Sequence, residues 1–294
     1  MIDPWQALEV TDWTEELPEK RGTRVKVWLR APDGRRFLFK QPEQRRWTEV
    51  AAEAISQRIA RAVGISAAET WPATRVVAGQ ALRGLISLDF TVSGSSLTAG
   101  AALMAQLDPG YDAETQKGEH TLARVRSALA ALEARASGAT LLLPFAKMLL
   151  LDAWLGNGDR HPANWSIIED GTRVLLSPIY DTASPFAPEL GDTHVLVTHG
   201  HDYDVRLNRY VRRCSSGFGH GGVKPITQEQ VLADLREWPE YALARALVDR
   251  FKELMRGDLA AYIQEIPGDW LPPPRARLAV DLLNRRLQWL EEKL

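Results

Sequence analysis

Residues 156–165 read GNGDRHPANW. A carboxylate, an arginine, a histidine and an asparagine share this short polar run. It begins directly after LLLPFAKMLLLDAWL (141–155), a helix apolar nearly all round and therefore expected at the buried centre of its part of the chain. A polar loop that starts where a buried helix ends starts in the interior, so its residues need a reason to be there.

Two strand candidates follow, WSII (165–168) and RVLLSPIY (173–180), and the second runs into Asp181. A hairpin of that length returns Asp181 to the side of Asn164. Transfer of a phosphoryl group from ATP needs a cation on the phosphates, a carboxylate for the incoming hydroxyl and a small set of oxygen ligands for Mg²⁺. Asn164 and Asp181 read as the metal ligands, and Asp159 as the residue facing the acceptor hydroxyl. Arg160 suits either an anion or a structural ion pair. His161 reads as a loop residue bonded to backbone.

Upstream, residues 24–40 alternate as a β-hairpin around the turn APDG (31–34). Leu38 and Lys40 share one face and Phe37 and Phe39 the other. Lys40 is thereby placed to reach phosphates, and Leu38 to line an adenine pocket. A helix over roughly 48–63 stops at Gly64 and carries Glu53, the expected ion-pair partner of Lys40, with Glu49 one turn away as the alternative. Short strands are expected over 71–90. Helices are expected at 121–136, 141–155, 227–257 and 274–293, and an irregular segment over 182–225.

These segments resemble those of HipA-like kinases. GNGDRHPANW and SPIYD are similar to that family's catalytic and metal-binding segments. RGTRVKVWL, FLFK and EAISQRIARAVGI follow in the order of its N-lobe, GLISLDF (84–90) is similar to its hinge, and SSLTAGAALM to the segment after it. The resemblance spans most of residues 20–290. It implies an α+β, bilobal protein-kinase-like fold, with a small β-rich N-lobe over 1–90, a hinge near 86–90 and a larger, mainly helical C-lobe over 91–294. It implies Asp159 as catalytic base, Asn164 and Asp181 as Mg²⁺ ligands and Lys40 as the nucleotide lysine. ATP contacts are implied at Gly22 and Thr23 and along the hinge at Ser87, Leu88 and Asp89. A protein serine/threonine acceptor is expected, with an antitoxin-like or other regulatory protein as a further partner. The stretch before Gly22 is expected to be too short for the additional N-terminal subdomain of the family's toxin.

Other features narrow the field. GDRHPAN is also similar to the catalytic loop of phosphoinositide kinases, so a lipid or small-molecule acceptor is the alternative, with a nucleotide-binding pseudokinase as another. No G-x-G-x-x-G precedes Lys40, and Thr-Ala follows Asp181. Lys and Arg total 36 against 38 Asp and Glu, and the tryptophans form no stacking stripe beside a basic run, so neither nucleic acid nor membrane is expected as a partner. His194, His199 and His201 read as a polar loop, not a zinc site. The one cysteine, Cys214, fits a reducing compartment, and MIDPWQALEV lacks the pattern of a secretory signal. A cytoplasmic protein is expected.

Overall fold

The computed structural model describes residues 5–18, 26–42, 48–113, 117–171, 173–190, 202–221 and 225–294. Gly22 and Thr23, and the histidines at 194, 199 and 201, lie outside the described residues.

The hairpin forms from β3 (Lys26–Arg30) and β4 (Arg36–Lys40), with Lys26 opposite Lys40 and Trp28 opposite Leu38. Pro32 and Gly34 close its turn, Gly34 at φ 85° with its N–H on the Ala31 carbonyl. Val27, Leu29, Phe37 and Phe39 point to one side, into a small core with Val10, Ala73 and Ile86. The other face, bearing Lys26 and Lys40, turns toward the rest of the molecule. The next strand shows the same division: Leu85, opposite Lys40, belongs to the large core, and Ile86, opposite Phe39, to the small one.

Four more strands complete a sheet of order β1–β5–β6–β4–β3–β2: β1 (Leu8–Glu9), β2 (Thr14–Pro18), β5 (Thr70–Val77) and β6 (Gln80–Leu88). β5 and β6 are longer than the short strands expected. They form one hairpin whose turn, Ala78–Gly79, has both residues at positive φ. Such turns favour Asn-Gly, so an alanine there left little trace in the sequence. Helix α1 (Thr48–Ala62) buries most of its length between this sheet and the helical part.

From residue 96 the chain builds a second sheet, β7 (Ser96–Ala99), β8 (Ser166–Asp170) and β9 (Arg173–Leu176), and a set of helices. These are α2 (Gly100–Leu107), α3 (Leu122–Arg135), α4 (Leu142–Leu155), α5 (Tyr203–Arg212), α6 (Gln228–Leu235), α7 (Tyr241–Arg245), α8 (Leu247–Arg256), α9 (Leu259–Gln264) and α10 (Pro273–Lys293). Helix α5 occupies part of the segment expected to be irregular; Leu207 and Val211, four apart, are its buried stripe. The helical stretch after 227 is divided because Pro239 supplies no N–H to continue α6.

Helix α4 is the centre of this part, as its all-round apolar sequence requires. It packs on α3, α6, α7, α8 and α10. Trp154 is fully buried, stacks on Phe251 at 4.2 Å between centroids and donates its indole N–H to the Leu283 carbonyl at 3.1 Å. The helix stops at Gly156, φ 78°, where a Cβ would lie 2.4 Å from the Arg286 guanidinium. Only glycine meets both conditions.

Replacing Trp154 by alanine removes the largest side chain at this junction and leaves a cavity. The expected cost is about 3–5 kcal/mol, read as a lower midpoint in denaturant unfolding of the full chain.

Candidate active site

The loop after α4 is held by one buried ion pair. Asp152, in the last turn of α4, takes two hydrogen bonds from Arg160, Nε to Oδ2 and Nη2 to Oδ1, both 2.8 Å. Neither side chain is more than 1% exposed. Asn157 Nδ2 adds a third bond to the same carboxylate at 2.8 Å. Arg160 Nη1 reaches forward to the Asn164 carbonyl at 2.5 Å. Burial works against the guanidinium charge, but the carboxylate of Asp152 outweighs it and holds the Arg160 pKa above its ordinary value. Of the two uses open to Arg160, the structure shows the ion pair. It fastens both ends of the loop to the helix that precedes it.

The loop is packed from outside by residues 214–218 and by Gln228. Gln228 Nε2 donates to the Asn157 carbonyl at 2.6 Å, and Ser184 Oγ donates to Asn157 Oδ1 at 2.6 Å. Gly217 lies so near that a Cβ would sit 2.5 Å from the Arg160 nitrogen. His120 completes this packing, a residue the sequence reading passed over. It accepts from Trp165 Nε1 on Nε2 and donates from Nδ1 to the Gly217 carbonyl, both at 3.2 Å, and it stacks on Phe218. That pattern fits the neutral ring, and burial pushes its pKa down to about 4. An isolated histidine forty-five residues upstream carries no spacing signal that would have found it.

Within this frame Asp159 presents a side chain 59% exposed, 3.9 Å from His161 Nε2. His161 Nδ1 accepts from the Ala163 N–H at 3.2 Å. Asn164 is 4% exposed, and its Nδ2 donates to the Asp159 carbonyl at 2.8 Å, which leaves its amide oxygen as the atom available to a ligand.

The β8–β9 hairpin brings the chain back. Tyr180 donates its hydroxyl to the Ala163 carbonyl at 2.9 Å and shares a bond with Ser166 Oγ at 2.6 Å. It thus touches both sides of Asn164, and Asp181 is the next residue. Asp181 takes φ 54°, a left-handed conformation uncommon outside glycine and most tolerated by Asn and Asp. Its backbone N–H meets Glu53 Oε1 at 3.2 Å. Its carboxylate lies 3.3 Å from Lys40 Nζ and 3.1 Å from Lys26 Nζ.

Lys40 Nζ is also 2.7 Å from Glu53 Oε1, and Gln57, itself bonded to Thr70, donates to the same oxygen at 3.1 Å. Of the two glutamates on α1, Glu53 is the one whose carboxylate reaches Lys40. Burial lowers the Lys40 pKa, but the charges of Asp181 and Glu53 outweigh it and hold the ammonium above its usual range. Burial likewise raises the Asp181 pKa, and Lys40 and Lys26 outweigh that, holding the carboxyl well below the ordinary carboxylate range. Lys40 is only 8% exposed. A lysine is ordinarily exposed. Here its loss would leave buried carboxylates short of a partner, which is costly.

Lys26 is a second residue the sequence reading missed. The signal was available: in the hairpin register it falls opposite Lys40, on the same face. Two ammoniums at a cross-strand pair repel and call for carboxylates in front of them.

The residues expected to form the hinge, Ser87, Leu88 and Asp89, make other contacts. Ser87 pairs with Leu38 across the sheet, and the N–H groups of Leu88 and Asp89 bond to the Glu69 and Arg36 carbonyls. The Asp89 carboxylate is taken by Arg36 at 3.1 Å and by Thr91. No group of three or more His, Cys, Asp or Glu suited to a metal occurs among the described residues. Asn164 and Asp181 offer one amide oxygen and one carboxylate, the sparse hard-oxygen set that Mg²⁺ accepts.

The family model of the HipA-like C-terminal domain matches residues 20–240. The chain belongs to the HipA-like family. Its fold is that of the proinflammatory kinase CtkA of Helicobacter pylori, at TM-score 0.72 and 18% identity over 98% of this chain and 95% of that one. A chain from the HipA, HipB and operator DNA complex of Shewanella oneidensis matches at TM-score 0.50 and 16% identity, over 96% of this chain and 66% of that one. No curated protein sequence matches significantly. Family and fold together are those of kinase-like phosphotransferases, with the mixed α+β architecture expected from the sequence.

The buried histidine gives this HipA-like chain a defined acid response. The folded pKa of His120 lies below its ordinary value of 6.5, so the unfolded chain binds the proton more readily. Its contribution to stability is complete above about pH 6.5 and falls as pH drops toward 4, by about 3 kcal/mol in all. Urea unfolding of wild type and His120→Gln across that range should show the steeper loss in wild type.

Proposed function

We propose that this chain is an ATP- and Mg²⁺-dependent kinase that phosphorylates serine or threonine hydroxyls of a protein. In this reading the cleft lies between an N-lobe over residues 1–90 and a C-lobe over 91–294. The observation that carries the proposal is the meeting of Lys26, Lys40, Glu53 and Asp181 beside the loop of Asp159 and Asn164. Two cations and a metal-ligand pair next to an exposed carboxylate are what phosphoryl transfer uses.

Each residue then has a task. Lys40, steadied by Glu53, and Lys26 exchange their contacts with Asp181 for oxygens of the ATP phosphates. The Asn164 amide oxygen and the Asp181 carboxylate would hold Mg²⁺, which would offset the negative charge that moves with the phosphoryl group. Asp159 orients the acceptor hydroxyl and takes its proton as the new O–P bond forms and the bond to the ADP oxygen breaks. Gly22 and Thr23, and the hinge at Ser87, Leu88 and Asp89, are assigned to the nucleotide on the family resemblance alone.

An antitoxin-like or other regulatory partner belongs to the proposal, supported by the HipA and HipB complex among the structural relatives. A cytoplasmic location is proposed with it. Among the described residues no helix is long and apolar enough to cross a membrane.

Two variants test the assignment. Asp181→Asn keeps the size of the side chain and removes its charge, so the gain in ATP affinity on adding Mg²⁺ should disappear in calorimetry. An unchanged Mg²⁺ effect would take Asp181 off the list of ligands. Asp159→Asn should leave Mg²⁺-ATP affinity intact while transfer of labelled phosphate falls by about 10²–10⁴-fold. Transfer at the wild-type rate would refute the role of Asp159, and wild type that binds nucleotide but never transfers would make the chain a pseudokinase.

A further inference from the structure

Helix α5 carries charge that the site does not use. Arg206, Arg209 and Arg212 on the helix, and Arg213 at its C-cap, are all exposed. Leu207 and Val211 bury the opposite side. At a rise of 3.6 residues per turn the four arginines cover an arc of about 120°. Among the described residues none of the four side chains makes an ion pair or hydrogen bond. Of the carboxylates near α5, Asp204 pairs with Arg285, Glu189 accepts from Tyr210 and Asp281 accepts from Tyr203, while the carboxylate of Asp202, the N-cap, bonds to none of the four arginines.

This arrangement works against the helix itself. Arg206, Arg209 and Arg212 follow at spacings of three, and Arg209 and Arg213 at four, where like charges repel. Cations near the C-terminus of a helix are favourable, which accounts for Arg212 and Arg213, but Arg206 sits in its first half. The chain as a whole is slightly acidic, at net charge −2, so the cluster is not the overflow of a basic protein.

Its position links it to the chemistry. The residues directly after the helix lie on the Asp159 loop. Cys214 Sγ approaches the Gly156 carbonyl at 3.5 Å, Ser215 Oγ the Gly158 carbonyl at 3.5 Å, and Gly217 packs on the Arg160 backbone. The arginines are therefore a few residues of chain from the carboxylate assigned to the acceptor. An exposed Val205 lies within the same arc and offers a small apolar spot. Base stacking has little to work with, since both tyrosines of α5 are partly buried with their hydroxyls bonded inward.

We propose that the arginine face of α5 docks an acidic segment of the protein acceptor, a reading that rests on the kinase function proposed above. Anionic side chains on either side of the target hydroxyl relieve the repulsion along the helix and steer the acceptor to Asp159.

The test uses the full chain and a short fluorescein-labelled peptide with one serine flanked by glutamates, with a glutamine-flanked counterpart. Binding is read by anisotropy at low salt without nucleotide, and transfer is read separately with Mg²⁺-ATP. The glutamate peptide should bind wild type more tightly than its counterpart. The triple variant Arg206→Gln, Arg209→Gln, Arg213→Gln should weaken that binding by roughly tenfold while its melting temperature does not fall and its Mg²⁺-ATP affinity holds. Equal binding of the two peptides, or no loss in the folded variant, overturns the docking surface. So does a single-stranded RNA of similar length that binds the same arginines more tightly and displaces the peptide. Arginine-dependent binding with no transfer to any acceptor would sink the kinase function and leave the surface standing. Transfer that ignores the flanking charge would do the reverse.

Discussion

The geometry of the site depends on one buried ion pair, Asp152 with Arg160. A carboxylate and a guanidinium out of water are expensive apart and tolerable together only when their hydrogen bonds are satisfied. Here they are: Arg160 spends its donors on Asp152 and on the Asn164 carbonyl, and Asn157 fills more of the carboxylate. The pair therefore contributes shape more than net stability. It forces the chain leaving α4 to turn at Gly156 and fixes where Asp159 and Asn164 emerge. The apolar helix matters for the same reason, because a loop can be held this firmly only on something rigid.

Charge is distributed between the two halves of the site in different ways. On the Asp159 side Asp152 and Arg160 are paired and sealed, and the Asp159 carboxylate is exposed beside His161. On the Asp181 side every charged group is paired with another that is itself a candidate for ligand contact. Lys26 and Lys40 come from the first sheet, Glu53 from α1 and Asp181 from the end of the β8–β9 hairpin. The left-handed backbone at Asp181 turns its carboxylate toward the lysines while its N–H meets Glu53.

Much of this was legible in the sequence, for definite reasons. The hairpin of Lys40 obeys strict alternation around a Pro-Gly turn, and the buried helix followed by GNGDRHPANW marks a polar loop with an interior origin. Lys26 was missed because faces were followed along the return strand and not carried across the hairpin, where Lys26 falls opposite Lys40. His120 was missed because its partners, Trp165 and Gly217, are far away in sequence and meet only in the folded chain. Helix α5 was hidden by the glycines and histidines on both sides of it, although Leu207 and Val211 stood at helical spacing. Residues 22–23, where the family resemblance implies ATP contacts, fall outside the described residues.

The four-charge cluster also acts as a tie between the two sheets. Lys26 and Lys40 belong to the first sheet, and Asp181 to the chain that returns from the second. Two ammonium–carboxylate contacts join them, so sliding one sheet against the other must first break both. In the kinase proposed above, entering phosphates would have to displace these contacts, and their association would be gated by that exchange as well as by diffusion.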